Sequence, residues 1–205
     1  MNVLILGATG TLGTALTKEL LKTTNNQLTL FARHIDRLPS HARTRLVAGD
    51  ALDPTALRQA LRGQDAVYCA ISGKQLPQVA QNLVTTMSAA NVHRLIFTAA
   101  VGIYDEIPDA MDGQDNLANN RAQLPNRQAA DIISASNLNY TIIRPGFLRP
   151  GDPEDFVLTS KGEPARGYIT TIPSLVKFAS QLLSNDKMYS RGNVSITSDN
   201  TDVTS

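Results

Sequence analysis

The first thirteen residues, Met1-Asn-Val-Leu-Ile-Leu-Gly7-Ala-Thr9-Gly10-Thr11-Leu12-Gly13, leave the chain few choices, because an apolar run stops at a glycine and helical periodicity begins almost at once. Val3, Leu4, Ile5 and Leu6 form a continuous apolar run, which suits a strand covered on both faces in the middle of a parallel sheet. Gly7, Gly10 and Gly13 follow at the spacing G-x-x-G-x-x-G. The first allows a tight turn, the second lets backbone approach a pyrophosphate, and the third lets a helix pack closely on the strand. Thr9, Thr11 and Leu12 complete that turn, where the unpaired N–H groups and the positive dipole end of the helix attract an anion. Glycines also gather at purely structural turns, so the motif alone is weak. The strand before it and the helix after it are what make dinucleotide binding the reading.

The remaining sequence keeps alternating strand and helix. Leu12, Ala15, Leu16 and Leu20 recur at helical spacing, and polar Thr23 to Gln27 ends that helix. Leu28–Phe31 and Arg45–Ala48 read as the second and third strands. Asp53, as N-cap, and Pro54, at the first helical position, open a short helix through Leu57 and Leu61. Ala66–Ala70 reads as the fourth strand, Val79, Leu83, Met87 and Ala90 as a buried helical stripe, and Arg94–Thr98 as the fifth strand. From Ala99 to about Leu124 the pattern loosens around Asp105, Glu106, Asp109, Asp112 and Asp115, which favours a functional or mobile loop. Helical spacing returns after Pro125 with Ala129, Ile132, Ile133 and Ser136, and Tyr140–Arg144 is a sixth strand stopped by Pro145-Gly146. A looser segment rich in Gly and Pro follows. Leu175, Phe178, Ala179 and Leu182 mark a last helix, Asn193–Thr197 an edge strand, and the tail from Ser198 is polar and expected to fray.

Strand and helix in this rhythm predict an α/β fold: a three-layer, Rossmann-like, doubly wound parallel sheet built by right-handed crossovers. At 205 residues with even composition the chain reads as a single domain over residues 1–205. Its cofactor-binding core would be 1–145 and a small C-terminal, substrate-side part 146–205. A formal net charge of +1 with 18% charged residues supplies no field for nucleic acid or a membrane surface. The single cysteine, Cys69, excludes an internal disulfide and reads as a small core residue. The opening apolar run is too short for a signal peptide, and no stretch has the length of a bilayer span, so a cytoplasmic protein is expected.

Ligands of such sheets bind beyond the carboxyl ends of the strands, which directs attention to the loops starting at Gly7, Ala32, Asp50, Ala70, Thr98 and Pro145. The second strand leads into Arg33, with Arg37, Arg43 and Arg45 close in sequence. An arginine there suits a 2′-phosphate, whereas NAD usually meets an acid. NADP is therefore the expected cofactor ahead of NAD, and a solvated basic loop is the plain alternative. Asp36 is displaced from the strand end and does not substitute for that acid. Asp50 reads either as an acceptor for the adenine amino group, with Ala51 alongside, or as a turn aspartate. Ala70, Ile71, Ser72 and Gly73 are small enough to lie beside the pyrophosphate and ribose. His34, His41 and His93 lack metal-ligand spacing, and the acidic loop lacks a calcium-loop pattern, so no metal is expected.

With these residues assembled, the chain resembles the atypical branch of the short-chain dehydrogenase/reductase superfamily. The matching pieces are Gly7-Ala-Thr-Gly10-Thr-Leu-Gly13, Ala32-Arg33, Gly49-Asp50-Ala-Leu-Asp53, Gly63-Gln-Asp65-Ala-Val67 and Ser136-Asn-Leu-Asn-Tyr140-Thr-Ile-Ile-Arg144-Pro145-Gly146. They resemble most the small single-domain members, which include flavin and biliverdin reductases of the B type and regulators that sense NADP. The resemblance implies that Thr98, Ala99 and Ala100 lie beside the nicotinamide ribose, and that Pro145, Gly146, Phe147 and Leu148 lie near the nicotinamide. It also exposes a departure. Catalytic members acting on alcohols carry Tyr-x-x-x-Lys before the sixth strand, where lysine lowers the tyrosine pKa. Those positions here are Leu124 and Gln128, and Ala99 and Ala100 stand where the paired serine is expected. Tyr104 is the remaining candidate acid, with a structural role the commoner one for a tyrosine there, so the catalytic residues stay unknown.

Two functions fit. One is an NADPH-dependent reductase of a small conjugated acceptor, such as a flavin or quinone, for which orientation and exclusion of water matter more than a dedicated acid. The other is a catalytically inactive NADP(H) redox sensor that regulates a protein partner.

Overall fold

The computed structural model describes residues 1–38, 40–111 and 113–198; Asp112 of the acidic loop and the polar tail beyond Ser198 lie outside the described residues. The chain runs β1 (Asn2–Leu6), α1 (Thr11–Thr23), β2 (Gln27–Ala32), β3 (Thr44–Ala48), α2 (Pro54–Leu61), β4 (Ala66–Cys69), α3 (Leu76–Ala89) and β5 (Arg94–Thr98). It continues through α4 (Leu124–Ser134), β6 (Asn139–Pro145), β7 (Phe147–Arg149), β8 (Val157–Ser160), β9 (Ile169–Thr171), α5 (Ile172–Ser184) and β10 (Gly192–Thr197). Eight strands share one sheet in the order β3-β2-β1-β4-β5-β6-β10-β8, while β7 and β9 pair separately. Every neighbouring pair in the large sheet is parallel except β10 with β8. This is the three-layer, doubly wound α/β architecture, with strand order reversing between β1 and β4.

The apolar run of β1 has the two covered faces that its sequence demands. Val3 and Ile5 enter the core shared with Leu16 and Leu20 of α1 and Phe178 and Leu182 of α5. Leu4 and Leu6 enter the opposite core with Leu57 of α2, Leu83 and Met87 of α3 and Ile133 of α4. Alternate residues of β4 divide in the same way, Tyr68 to the first core and Val67 and Cys69 to the second. Cys69 is fully buried, and burial, only partly opposed by a backbone hydrogen bond from Ile71, pushes its thiol up to about 12. It is an inert core residue. Asp53 caps α2 by accepting from Thr55 N–H at 2.8 Å, with Pro54 in the first turn.

Three sequence expectations need correction. Ala90 is exposed at the C-cap of α3, and Leu76 and Ala80 join Val79, Leu83 and Met87 on the buried stripe. Residues 192–197 form an interior strand, because β8 adds an antiparallel edge beyond them in the register Val194↔Ser160 to Thr197↔Val157. Strands of three or four residues in a Gly- and Pro-rich segment are too short to display a period. Finally, the 99–123 segment is fastened down. Ile107 N–H donates to Asn116 Oδ1 at 3.0 Å while Asn116 Nδ2 donates to Ile107 O at 2.8 Å. Asp105 accepts from Ala118 N–H, Asp115 from the Tyr168 hydroxyl, and buried Glu106 pairs with fully buried Arg144 of β6. Three carboxylates of the acidic loop therefore serve as struts.

Candidate functional site

The glycine turn sits at the carboxyl end of β1, next to β4, where the strand order reverses. Gly7 takes φ +76°, a conformation that costs little only for glycine, and its N–H donates to Phe31 O of β2 at 3.1 Å. Gly10 N–H closes the turn on Gly7 O at 2.9 Å. At Gly13 a side chain would stand 2.8 Å from Cα of Ala8, so the start of α1 lies directly on the turn. Gly10 is the N-cap and supplies no capping side chain. The N–H groups of Thr11, Leu12 and Gly13, in the first turn of α1, therefore have neither an intrahelical acceptor nor a capping one. A negatively charged group is the partner that this uncapped helix end favours.

A cleft of about 600 Å³ opens over this turn. Ten residues singled out from the sequence line it: Gly7, Thr9, Gly10, Arg33, Asp50, Ala51, Ala70, Ile71, Ser72 and Gly73. Arg33 follows β2 directly, is exposed, and makes no hydrogen bond or ion pair among the described residues. Asp50 accepts from Leu52 N–H at 3.0 Å through Oδ1, which realises its turn role and leaves Oδ2 open to the cleft. Phe31, Ala32, Gly49, Leu52, Lys74, Gln75, Leu76 and Val79 also line the cleft and were not singled out as cofactor contacts from the sequence. Gly49 stood in the sequence as part of Gly49-Asp50-Ala-Leu-Asp53, but the reason for a glycine there, that a side chain would meet the Phe31 ring at 2.5 Å, is visible only in the structure. Val79 was absorbed into the α3 stripe, and Lys74 carried only its position after Gly73.

The other expected residues fall outside this cleft. Thr98, Ala99, Ala100, Pro145, Gly146 and Phe147 stand at the carboxyl ends of β5 and β6, which Ala99 N–H to Ile143 O at 2.8 Å and Val101 N–H to Pro145 O at 2.9 Å hold together. Thr98 donates its hydroxyl to the Tyr68 hydroxyl at 3.0 Å. Tyr68 is fully buried, and burial, opposed by the Thr98 hydrogen bond and reinforced by Cys69, pushes its phenol up to about 12. Gly146 N–H donates to Thr170 Oγ1 at 2.8 Å, and Phe147 is 62% exposed beside Tyr168. Arg43 and Arg45, near Arg33 in sequence, are at the opposite end of the sheet. Arg43 is spent on carbonyls at the C-terminus of α1, and Arg45 reaches Thr29 Oγ1 and Ala60 O, each at 3.3 Å. A smaller hollow of about 390 Å³ lies at that amino end. It is away from the carboxyl ends where sheets of this type hold ligands.

Leu124 is half-buried and Gln128 exposed on α4. Neither side chain can donate or remove a proton. Tyr104 accepts from Asn193 Nδ2 at 3.0 Å, and its ring lies under Lys161 at 4.4 Å, Arg127 at 4.6 Å and Arg144 at 5.4 Å. Burial raises its pKa, opposed by the Asn193 hydrogen bond and reinforced by Asp131, with Arg127 and Arg144 pulling the other way. Its hydroxyl is held beside Asn193, which pairs with Ile142 and so lies below the carboxyl end of β6. That placement makes Tyr104 a packing residue.

The profile of a family described as NAD(P)H-binding matches residues 7–186. A Rossmann-fold NAD(P)-binding family protein from Shigella flexneri is 32% identical over 100% of this chain and 96% of its own, with a TM-score of 0.84. A short-chain dehydrogenase/reductase from Veillonella parvula, solved in complex with NADP, is 27% identical over 98% of this chain and 95% of its own, with a TM-score of 0.88. ChuY, an anaerobilin reductase from Escherichia coli O157:H7, shares the fold at 18% identity, with a TM-score of 0.82 and coverage of 98% and 99%. No curated protein matches the chain.

Proposed function

The chain belongs to the NAD(P)H-binding family, within the atypical short-chain dehydrogenase/reductase superfamily, and from that premise we propose that it is an NADPH-dependent reductase of a small, conjugated acceptor. One observation carries this reading: the cleft over the glycine turn is bordered at the end of β2 by Arg33 and by no carboxylate. The nearest acid in sequence, Asp36, lies in the 3-10 turn Ile35–Arg37 and does not line the cleft.

The residues present fit the cofactor. Close packing at Gly13 and the bare N-cap at Gly10 leave room and donors for a pyrophosphate. Arg33 offers a planar fork to a 2′-phosphate, and Asp50 Oδ2 offers an acceptor to an adenine amino group. Thr98, Ala99, Ala100, Pro145, Gly146 and Phe147 would border the nicotinamide end. When bound, the dihydronicotinamide supplies a hydride. What the chain adds is orientation and exclusion of water. Tyr68 holds the Thr98 hydroxyl fixed from below, and Phe147 presents an exposed ring to a flat acceptor.

A second reading, an NADP(H) sensor that regulates a protein partner without turnover, is favoured by one observation. Among the described residues, neither the positions of the usual acid and lysine nor the lining of the cleft carries a tyrosine, histidine or cysteine. Rapid mixing of NADPH-loaded protein with flavin and quinone acceptors separates the two. The reductase reading expects cofactor oxidation well above the protein-free rate, and oxidation at the background rate contradicts it. A sensor must instead bind the oxidised and reduced cofactors with different affinity.

A further inference from the structure

We propose that the hollow at the amino end of the sheet binds the phosphate of a small phosphomonoester, held by Arg45, Arg62, Thr29 and Gln64. It is separate from the cofactor cleft and does not depend on the cofactor reading. The hollow, of about 390 Å³, lies between the starts of β1, β2 and β3 and the turn that follows α2. Its walls are tied together. Arg62 is the C-cap of α2, Gly63 takes φ +71° in the turn, and Gln64 N–H donates to Leu61 O at 3.2 Å. Asn2 Nδ2 donates to Gly63 O at 2.8 Å, and Asp65 N–H donates to Asn2 O at 2.8 Å, so the turn is fastened to the first residue of β1. The segment Gly63-Gln-Asp65-Ala-Val67, which stands out in the sequence, builds this wall, and the cofactor cleft uses none of it.

The donors left over in the hollow call for an anion. Arg45 is held by Nε to Thr29 Oγ1 and Nη2 to Ala60 O, each at 3.3 Å, which leaves Nη1 without an acceptor among the described residues. The second contact also covers a carbonyl in the last turn of α2, the negative end of that helix. The exposed Arg62 side chain has no acceptor among the described residues. Thr29 is buried and accepts from Arg45, while its own proton has no acceptor among the described residues. No carboxylate lines the hollow among the described residues, and Asp65, next to Gln64, is exposed and accepts from Asn2 N–H at 2.6 Å. Two guanidiniums and a buried hydroxyl thus border a space with no negative side chain in its lining. Gln64 narrows the anion further. Its Oε1 is buried without a donor, while Nε2 donates to Arg62 O at 3.4 Å. A ligand that satisfies this acceptor carries a proton as well as negative charge. Sulfate offers acceptors only, whereas a phosphomonoester, with a second pKa of ~6, keeps an O–H on a charged group. The volume leaves space beside the phosphate for a group of sugar size.

Calorimetric titration of the full chain with ribose 5-phosphate, inorganic phosphate and sulfate, at pH ~6 and constant ionic strength, tests the site. Ribose 5-phosphate and phosphate are expected to bind roughly tenfold more tightly than sulfate, which leaves the buried acceptor unpaired. Tighter binding of ribose 5-phosphate supports an organic phosphomonoester as the occupant, and equal binding of the two supports free phosphate at the same site. Arg62→Gln should weaken both by roughly tenfold, the loss of one charge-assisted contact. Gln64→Leu should bring phosphate down to the affinity of sulfate without lowering thermal stability, because it removes an orphaned acceptor. Equal wild-type affinity for phosphate and sulfate overturns the phosphomonoester assignment. Binding that is lost in Arg33→Ala and kept in Arg62→Gln places the anion in the cofactor cleft and overturns the site, as does failure of the wild type to bind any of the three.

Discussion

A methyl group on Gly13 would stand 2.8 Å from Cα of Ala8 and closer still to the carbonyl oxygen of Gly7. Backbone lies on both sides, so neither neighbour can yield without moving the turn or tilting α1. Gly13→Ala is therefore expected to lower unfolding stability by about 1–3 kcal/mol and to weaken NADPH binding, as checked by denaturant unfolding and cofactor titration. Two buried acids give the protein an alkaline limb. Tyr68 has a raised pKa in the folded state, from 10.0 to about 12. The folded state therefore holds its proton where the unfolded chain has released it, and stability present below pH ~10 falls as pH rises toward about 12. Cys69, raised from 9.0 to about 12, begins the same loss earlier. Each group contributes a slope of up to ~1.4 kcal/mol per pH unit in its window. Tyr68→Phe should flatten the limb above pH ~10 and leave the portion starting near pH ~9, a distinction that unfolding curves at stepped pH would reveal.

Among the elements, those with long apolar runs were legible in sequence and those fastened by polar side chains were not. β1, β4 and β5 announce themselves because each is covered on both faces and so carries a continuous apolar run: Val3 to Leu6, Ala66 to Cys69 and Leu95 to Phe97. β7, β8 and β9 have three or four residues each, and Thr159 and Thr170, which they bury, are partnered by Ser195 and Ile196, distant in sequence. Arg144 illustrates the gap. It belongs to a recognisable Arg-Pro-Gly segment, yet its role is to join β6 to Glu106 and to Asn193 of β10, the latter at 2.8 Å. Removing one member of a fully buried pair leaves an uncompensated charge. Glu106→Ala should cost about 3–5 kcal/mol, while the double change Glu106→Leu with Arg144→Met should recover much of it. Equal loss in the single and double variants, measured by thermal unfolding, would show that packing rather than charge dominates there.

For the whole molecule, the site follows from strand order. The glycine turn was readable because its signal is local, strand then turn then helix within thirteen residues. The opposite wall was readable too, since the doubly wound pattern directs attention to the loop after β4 and the small residues Ala70 to Gly73 marked it; Lys74, next in the chain, lacks that small side chain and was passed over. Arg43 and Arg45 misled because a strand carries residues close in sequence to opposite ends of the sheet. Of the arginines near the end of β2, Arg33 is the one that lines the cleft, and with no carboxylate beside it among the described residues the proposed ligand is NADP rather than NAD. Comparing the affinities of wild type and Arg33→Ala for NADPH and NADH tests this centre most directly. The account predicts that wild type prefers NADPH and that Arg33→Ala abolishes the preference by weakening NADPH while leaving NADH nearly unchanged. Equal weakening of both cofactors, or a wild-type protein that prefers NADH, would contradict it.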